Sequence, residues 1–365
     1  MDKLKVAFIG LGLIGGSIAM TIRKKFPEAE IIALNRSDAT LKSALDDGII
    51  NAGTHEIDDN FKNCDYIFLS APVDTNISFL EKLKPYLTDE TILTDAGSVK
   101  GKIHAAVEKI LPDSQFIGGH PMAGSEKSGY ANANDHLIEN AYYILTPSAN
   151  TTKENVEEYK CFIKELDAIP LVLSAEEHDY ITAAVSHLPH IVAYSLVQTV
   201  MEKDSPEEYM KMIAAGGFKD ITRIASSDAT MWEQICLENP ENIRVLIKEF
   251  MSRMEHFDKL IKDANGEKIH TLFDSIKNYR NSIRENRKGA LPKIYDMHCD
   301  IIDETGAIAT IATLLSTQGI SIKNIGIVHN RTYEQGVLHI EYYDEISKAK
   351  AAQALSRHGY TIFPD

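Results

Sequence analysis

A chain of 365 residues is long for one domain, so two or three are expected. Its 44% hydrophobic content fills globular cores and excludes wholesale disorder, while a formal net charge of −15 argues against a nucleic-acid partner. The four cysteines, Cys64, Cys161, Cys236 and Cys299, form no CxxC pair, so neither a zinc ribbon nor a disulfide framework is expected and a reducing cytoplasmic setting fits.

The first segment, MDKLKVAFIG, enters a strand almost at once and leaves no room for a signal peptide. No apolar run is expected to approach membrane-spanning length, so no membrane partner is expected. Strand Lys5–Ile9 leads into GLGLIGGSIAMTIRKKF, a turn plus helix. Further short apolar strands follow at Ile31–Leu34, Tyr66–Pro72, Thr91–Gly97 and Gln115–Gly119, with helical patterns between most of them. Ala141–Pro147 and Ile169–Ser174 extend the series. This alternation predicts a Rossmann-type α/β domain, a doubly wound parallel sheet over residues 1–174.

From Ala175 to Arg287 the pattern is helical throughout, which predicts an all-α domain over residues 175–287. Ile181–Val200 is apolar almost all round and reads as a buried helix, and Val245, Phe250, Met254, Phe257 and Ile261 form an amphipathic stripe. Residues 288–294 read as a linker, with Gly289 and Pro292. Residues 295–365 show the order βαββαβ, the ferredoxin-like split motif, with helices closed by Gly319 and Gly359.

Gly10-Leu11-Gly12-Leu13-Ile14-Gly15 is a GxGxxG between a strand and a helix, the arrangement that lets backbone approach a pyrophosphate. The acid that reads a ribose is expected about twenty residues on. Asn35-Arg36-Ser37 stands there instead. Arg36 suits a 2′-phosphate, which favours NADP; alternatively Asn35 binds the ribose hydroxyls and Arg36 stacks on the adenine, which leaves NAD open. Ser70 and Pro72, at the end of the next strand, complete the candidate cofactor set.

Three segments carry polar groups where a core would have none. Ser98, in DAGSVKG, follows a strand and is either a site hydroxyl or a helix N-cap. His120, in GGHPMAGSEKSG, lies just past the next strand end, where doubly wound sheets bind ligands. His187 and His190, in SHLPH, share a helix face; no acidic residue at ligand spacing and no HExxH supports a metal there. They line an anion pocket, or His187 is a satisfied core histidine. In GGFKDITRIASSDATMW, Lys219, Asp220 and Arg223 sit among small residues, and Arg223 is the natural partner for a carboxylate. Trp232, the single tryptophan, reads as core.

GLGLIGGS, DAGSVKG, GGHPMAGSEKSG, SHLPH and GGFKDITRIASSD, in that order, resemble the prephenate dehydrogenase family of tyrosine biosynthesis over residues 4–287. The C-terminal unit resembles an ACT domain, in which Asp303 and Gly306 would meet an amino-acid effector, tyrosine foremost. The resemblance implies oxidative decarboxylation of prephenate to 4-hydroxyphenylpyruvate, hydride passing to NAD or NADP. It gives His120 the role of base and Ser98 that of its hydroxyl partner. Arg223, His190, His187, Lys219, Asp220, Glu126 and Trp232 would surround the substrate. It also implies a homodimer through the helical domain, and the apolar helix Ile181–Val200 fits such an interlocked interface, since a single helical domain would struggle to bury it completely. Two rivals remain: arogenate dehydrogenase, and a non-catalytic sensor that binds dinucleotide and amino acid.

Overall fold

The computed structural model describes residues 3–125, 127–283, 295–301, 306–328 and 337–363. The chain divides into two compact units, Met1–Gly289 and Ala290–Asp365. In the first, an eight-stranded sheet is built from β1 (Lys5–Ile9), β2 (Glu30–Leu34), β3 (Ala52–Thr54), β4 (Tyr66–Leu69), β5 (Ile92–Asp95), β6 (Gln115–Pro121), β7 (Tyr142–Pro147) and β8 (Ile169–Val172), in the order β3-β2-β1-β4-β5-β6-β7-β8. The helices between them are α1 (Leu13–Lys25), α2 (Asp38–Asp46), α3 (Val73–Leu83), α4 (Gly101–Ile110) and α5 (Lys153–Glu165).

Both faces of the sheet are covered, as continuous apolar strands require. Along β1, Val6 and Phe8 enter one core with Ile18 and Ile22 of α1 and Phe162 of α5. Ala7 and Ile9 enter the other with Leu80 of α3 and Ile103 of α4. Phe8 stacks on Phe68 with centroids 4.9 Å apart, and Tyr66 on Phe162 at 4.1 Å. Truncating one such ring to alanine would cost roughly 3–5 kcal/mol.

The sheet departs from the expected parallel pattern at one place. β7 runs antiparallel to β6, with His120 opposite Ile144. Among the described residues no crossover helix lies between Pro121 and Tyr142, so the chain turns back instead of crossing over. His120 therefore stands within β6, not beyond its end.

Ser174 caps the next helix in a capping box with Glu177. The helices are then α6 (Ala175–Thr182), a π-helical turn (Ala183–His187), α7 (Leu188–Lys203), α8 (Tyr209–Ile213), α9 (Gly216–Thr222), α10 (Ala229–Glu238), α11 (Pro240–Lys262) and α12 (Gly266–Ser282). Two expectations change here. Counted as one helix, Ala175–Lys203 is long and apolar enough to cross a membrane by length and composition, with no Asp, Glu, Lys or Arg between Ile181 and Met201. And the segment is not buried within one chain: in α7 only Ala193 is, while Val185 is 64% exposed. The stripe on α11 is likewise open, with Val245, Met254 and Ile261 exposed.

The second unit has β9 (Tyr295–Asp300), α13 (Ala307–Thr317), β10 (Ile322–Val328), β11 (Val337–Tyr342), α14 (Glu345–Arg357) and β12 (Ile362–Phe363). Its antiparallel sheet, ordered β10-β11-β9-β12, follows the split βαβ plan. Gly306 opens α13 at φ 91°, in the left-handed region where a side chain would be strained. Asp303 and the residues read as a linker, 288–294, lie outside the described residues.

Candidate active site

The glycine turn has the shape a pyrophosphate needs. Gly10 has φ 96°, and a Cβ there would lie 2.8 Å from Ala71 N. A Cβ on Gly15 would lie 2.6 Å from Gly10 O, so this glycine lets α1 pack close to the strand. Gly12 faces open space. Gly12 is also the N-cap of α1, with no side-chain cap, and Leu13 and Ile14 open a first turn without acids. A free helix N-terminus beside open space fits a phosphate, so these residues fit a dinucleotide.

At the end of β2, the Asn35 side chain accepts from Leu11 N at 3.3 Å and so steadies the glycine turn. Arg36 is exposed. Ser37 caps α2 through Thr40 N, a structural use of its hydroxyl. His55 bridges Asn35 O and Asp38, each at 2.8 Å, so a carboxylate does stand near this end of the turn. Pro72 caps α3, and the buried Ser70 hydroxyl, beside Gly15, has no partner among the described residues.

The polar centre is a line of side chains running back from His120. His120 Nδ1 lies 2.8 Å from His178 Nε2, and His178 Nδ1 lies 2.8 Å from Asp179 Oδ1. Asp179 also accepts the backbone N–H groups of Lys100 and Gly101, both at 2.8 Å. Burial raises the Asp179 pKa, but the bonds from His178 and these two N–H groups outweigh it and hold the group ionised, below its ordinary range. An ionised Asp179 accepts a hydrogen bond from His178 Nδ1–H. His178 then offers only its Nε2 lone pair, which accepts from His120 Nδ1. By this assignment His120 Nε2 carries no proton and is the basic atom. Burial, with His178 and Lys100 nearby, holds the His120 pKa well below 6.5, so the ring is neutral at pH 7.

The strand ends are locked by a second buried pair. Lys100 Nζ binds Asp95 and donates to Gly119 O at 2.7 Å, and Gly119 N donates to Asp95 Oδ1 at 3.1 Å. A Cβ on Gly119 would lie 2.5 Å from Asp95 O, which explains the glycine before His120. Removing one partner of such a pair costs roughly 3–5 kcal/mol. Because α4 starts at Gly101 with Lys100 at its cap, Ser98 is not an N-cap; it is half-buried, next to Val99.

Val99 packs with Trp232, Ile235 and Tyr194. His190 stacks on Trp232 with centroids 3.7 Å apart, and His187 meets the same ring edge-on at 6.0 Å. A π-turn between α6 and α7, a feature frequent at functional sites, ends at His187. His187 is 1% exposed and sits 3.4 Å from Asn239 Nδ2, closer to the core reading than to a ligand role. Burial pushes its pKa down to about 4. His190 is half-buried, Nδ1 lies 3.0 Å from Ser186 O, and burial lowers its pKa also. The buried Trp232 Nε1–H has no partner among the described residues.

Two groups result: His120 with His178 and Asp179, and Val99, next to Ser98, with Trp232, His190 and His187; Asn239, which donates to Asp179 O and meets His187, links them. Lys219, Asp220 and Arg223 are exposed on α9 and the short turn after it, which pack on α7, the helix of His190. Glu126 lies outside the described residues. Sequence reasoning missed His178, Asp179, Lys100 and Asp95. The adjacent His-Asp pair at the start of a helix was a usable signal for the first two.

The family model described as prephenate dehydrogenase, nucleotide-binding domain, matches residues 18–171. The model described as prephenate dehydrogenase, dimerization domain, matches residues 174–275. The chain is 38% identical to a prephenate dehydrogenase of Bacillus subtilis (strain 168) over 368 residues, covering 100% of this chain and 99% of that one. Its fold is similar to a prephenate dehydrogenase from A. aeolicus solved with hydroxyphenyl propionate and NAD+ (TM-score 0.73, 36% identity, covering 78% of this chain and 99% of that chain). It is also similar to the Synechocystis arogenate dehydrogenase (TM-score 0.69, 25% identity, covering 77% and 100%). With both family models matched and a relative aligned over its whole length, the chain belongs to the prephenate dehydrogenase family.

Proposed function

We propose that this chain oxidatively decarboxylates prephenate to 4-hydroxyphenylpyruvate and CO2 in tyrosine biosynthesis. The observation that carries the mechanism is the line Asp179–His178–His120, which leaves His120 Nε2 unprotonated. Gly10, Gly12, Leu13, Ile14 and Gly15 would hold the pyrophosphate of NAD or NADP, with Asn35, Arg36, Ser37, Ser70 and Pro72 along the rest of the cofactor. When bound, the nicotinamide would supply the acceptor for the hydride that leaves ring C4 of the substrate.

His120 Nε2 takes the C4 hydroxyl proton as that hydride departs, so the oxygen becomes a carbonyl and no cation is left at C4. His178 and Asp179 steady the imidazolium through its Nδ1 proton. Loss of CO2 then feeds the electron pair of the broken C–C bond into the ring. The phenolate oxygen takes the proton back from His120, and the balance closes. Ser98 bonds the same hydroxyl. Arg223, with Lys219 and Asp220 on the same segment and Glu126 from the loop after β6, meets the substrate carboxylates. His190 and the Trp232 Nε1–H, a buried donor in want of an acceptor, face the side chain, with His187 behind them. The helical segment pairs two copies into a dimer, and the second unit binds an aromatic amino acid, tyrosine foremost, through Gly306 and Asp303.

Arogenate is the second reading, because a solved arogenate dehydrogenase shares the fold. Turnover of each compound with NAD and with NADP, followed as reduced nicotinamide, tests the proposal. Prephenate is expected to be the better substrate. Cofactor binding without turnover of either would make the chain a sensor and sink the reading.

A further inference from the structure

The sheet of the second unit has one covered face and one half-exposed face. Met297, Cys299, Leu338, Ile340 and Tyr342 enter the core under α13 and α14. The residues alternating with them, Asp296 and His298 on β9 and His339 and Glu341 on β11, therefore stand on the opposite face, all partly exposed. The antiparallel register sets His339 directly opposite His298, and Glu341 opposite Asp296. The two imidazoles stack with centroids 4.7 Å apart and planes 28° from parallel. His339 Nε2 lies 3.1 Å from Asp296 Oδ2. One ligand atom from each of Asp296, His298 and His339 lies within 4.8 Å of the other two.

The bland reading is a cross-strand ion pair of His339 with Asp296. It leaves His298 nothing beyond its stacking on His339. Two neutral rings, by contrast, bring two nitrogen lone pairs and a carboxylate towards one point. Two imidazoles and one carboxylate suit zinc, cobalt, nickel or copper(II) far better than magnesium or calcium, which prefer all-oxygen shells. We propose that Asp296, His298 and His339 bind one divalent transition-metal ion on this face of the second unit. With bonds of about 2.0–2.1 Å in a tetrahedral site, ligand atoms stand about 3.4 Å apart. The paired strands hold the three residues in register, and their ligand atoms, already within 4.8 Å of one another, would draw in to that spacing by side-chain rotation. The fourth position is open to water or an added ligand. Glu341, held by Asn324 Nδ2 at 3.3 Å, adds negative charge at the rim. The ion would tie β9 to β11.

The test titrates Co2+ into the chelator-treated full chain and reads its visible absorption, with Zn2+ as competitor. One equivalent per chain is expected, displaced by Zn2+. His298→Gln, His339→Gln and Asp296→Asn should each weaken it by about tenfold or more. Glutamine and asparagine keep the face polar, and circular dichroism checks that each variant remains folded. If the His298→Gln/His339→Gln variant bound Co2+ as the wild type does, the proposal would fail. It would fail equally if the wild type showed no stoichiometric binding, or if His120→Gln rather than these variants removed the ion.

Discussion

The sheet and the helices that follow it, within one unit, solve burial differently. Residues up to Val172 close two cores around one sheet and leave Leu45, Leu171 and Val172 as their exposed large apolar side chains among the described residues. From Tyr180 to Ile283 such side chains are common, among them Val185, Leu196, Met201, Ile213 and Ile221. A surface of that kind marks an interface, and this segment matches a dimerization-domain model. The two regions are joined at a polar point: Asp179 of α6 binds the N–H groups that open α4, and His178 binds His120 of β6. The sheet closes its own two cores and carries His120 on β6. The helical layer leaves apolar side chains open in one chain, yet it supplies His178 and Asp179, the partners of His120.

The sharpest way to break this division is Asp179→Asn. It removes the anion that orders the proton line at nearly the same side-chain volume, and kcat should fall by about 10–10²-fold; because Lys100 N and Gly101 N donate to different oxygens of Asp179, the amide can accept from only one of them. An unchanged kcat would make the line a packing feature alone. Arg223→Ala probes the exposed side of the same layer; it should raise the KM for prephenate about tenfold, as loss of one charged hydrogen bond does, with a smaller effect on kcat. An unchanged KM would pass the anchor role to His190 or Lys219. Leu196→Glu with Met201→Glu tests the open helices. Light scattering should show a dimer for the wild type and monomer for the variant, with the sheet fold retained. A monomeric wild type would mean that something other than a second copy covers this surface.

Much of the sheet was legible in sequence, because β1, β2 and β4 are short apolar runs bounded by turns, and the glycine turn has its own spacing. The reversal at β7 was not, since strand direction depends on what connects the strands, and residues 122–141 carry no helical period. His120 was legible from its glycines and proline. His178 and Asp179 were overlooked because they meet His120 across 58 residues and through tertiary packing alone. Lys100 and Asp95 carry charge, and charge in a sequence reads as surface until burial and pairing are seen. What covers the stripe on α11 was not legible for a related reason. Periodicity reveals that a face is apolar, not which surface covers it.

The most direct measurement is kcat/KM for prephenate against pH in the wild type and in His120→Asn. His120 has its pKa held well below 6.5, so its neutral form, and the activity that needs it, persists as pH falls past 6.5. The account predicts a wild-type rate that is flat through neutral pH and falls only below 6.5. It predicts a variant slower by about 10²–10⁴ that still binds prephenate and has lost that limb. A variant of near-normal rate, or one that keeps the same acid limb, would contradict it.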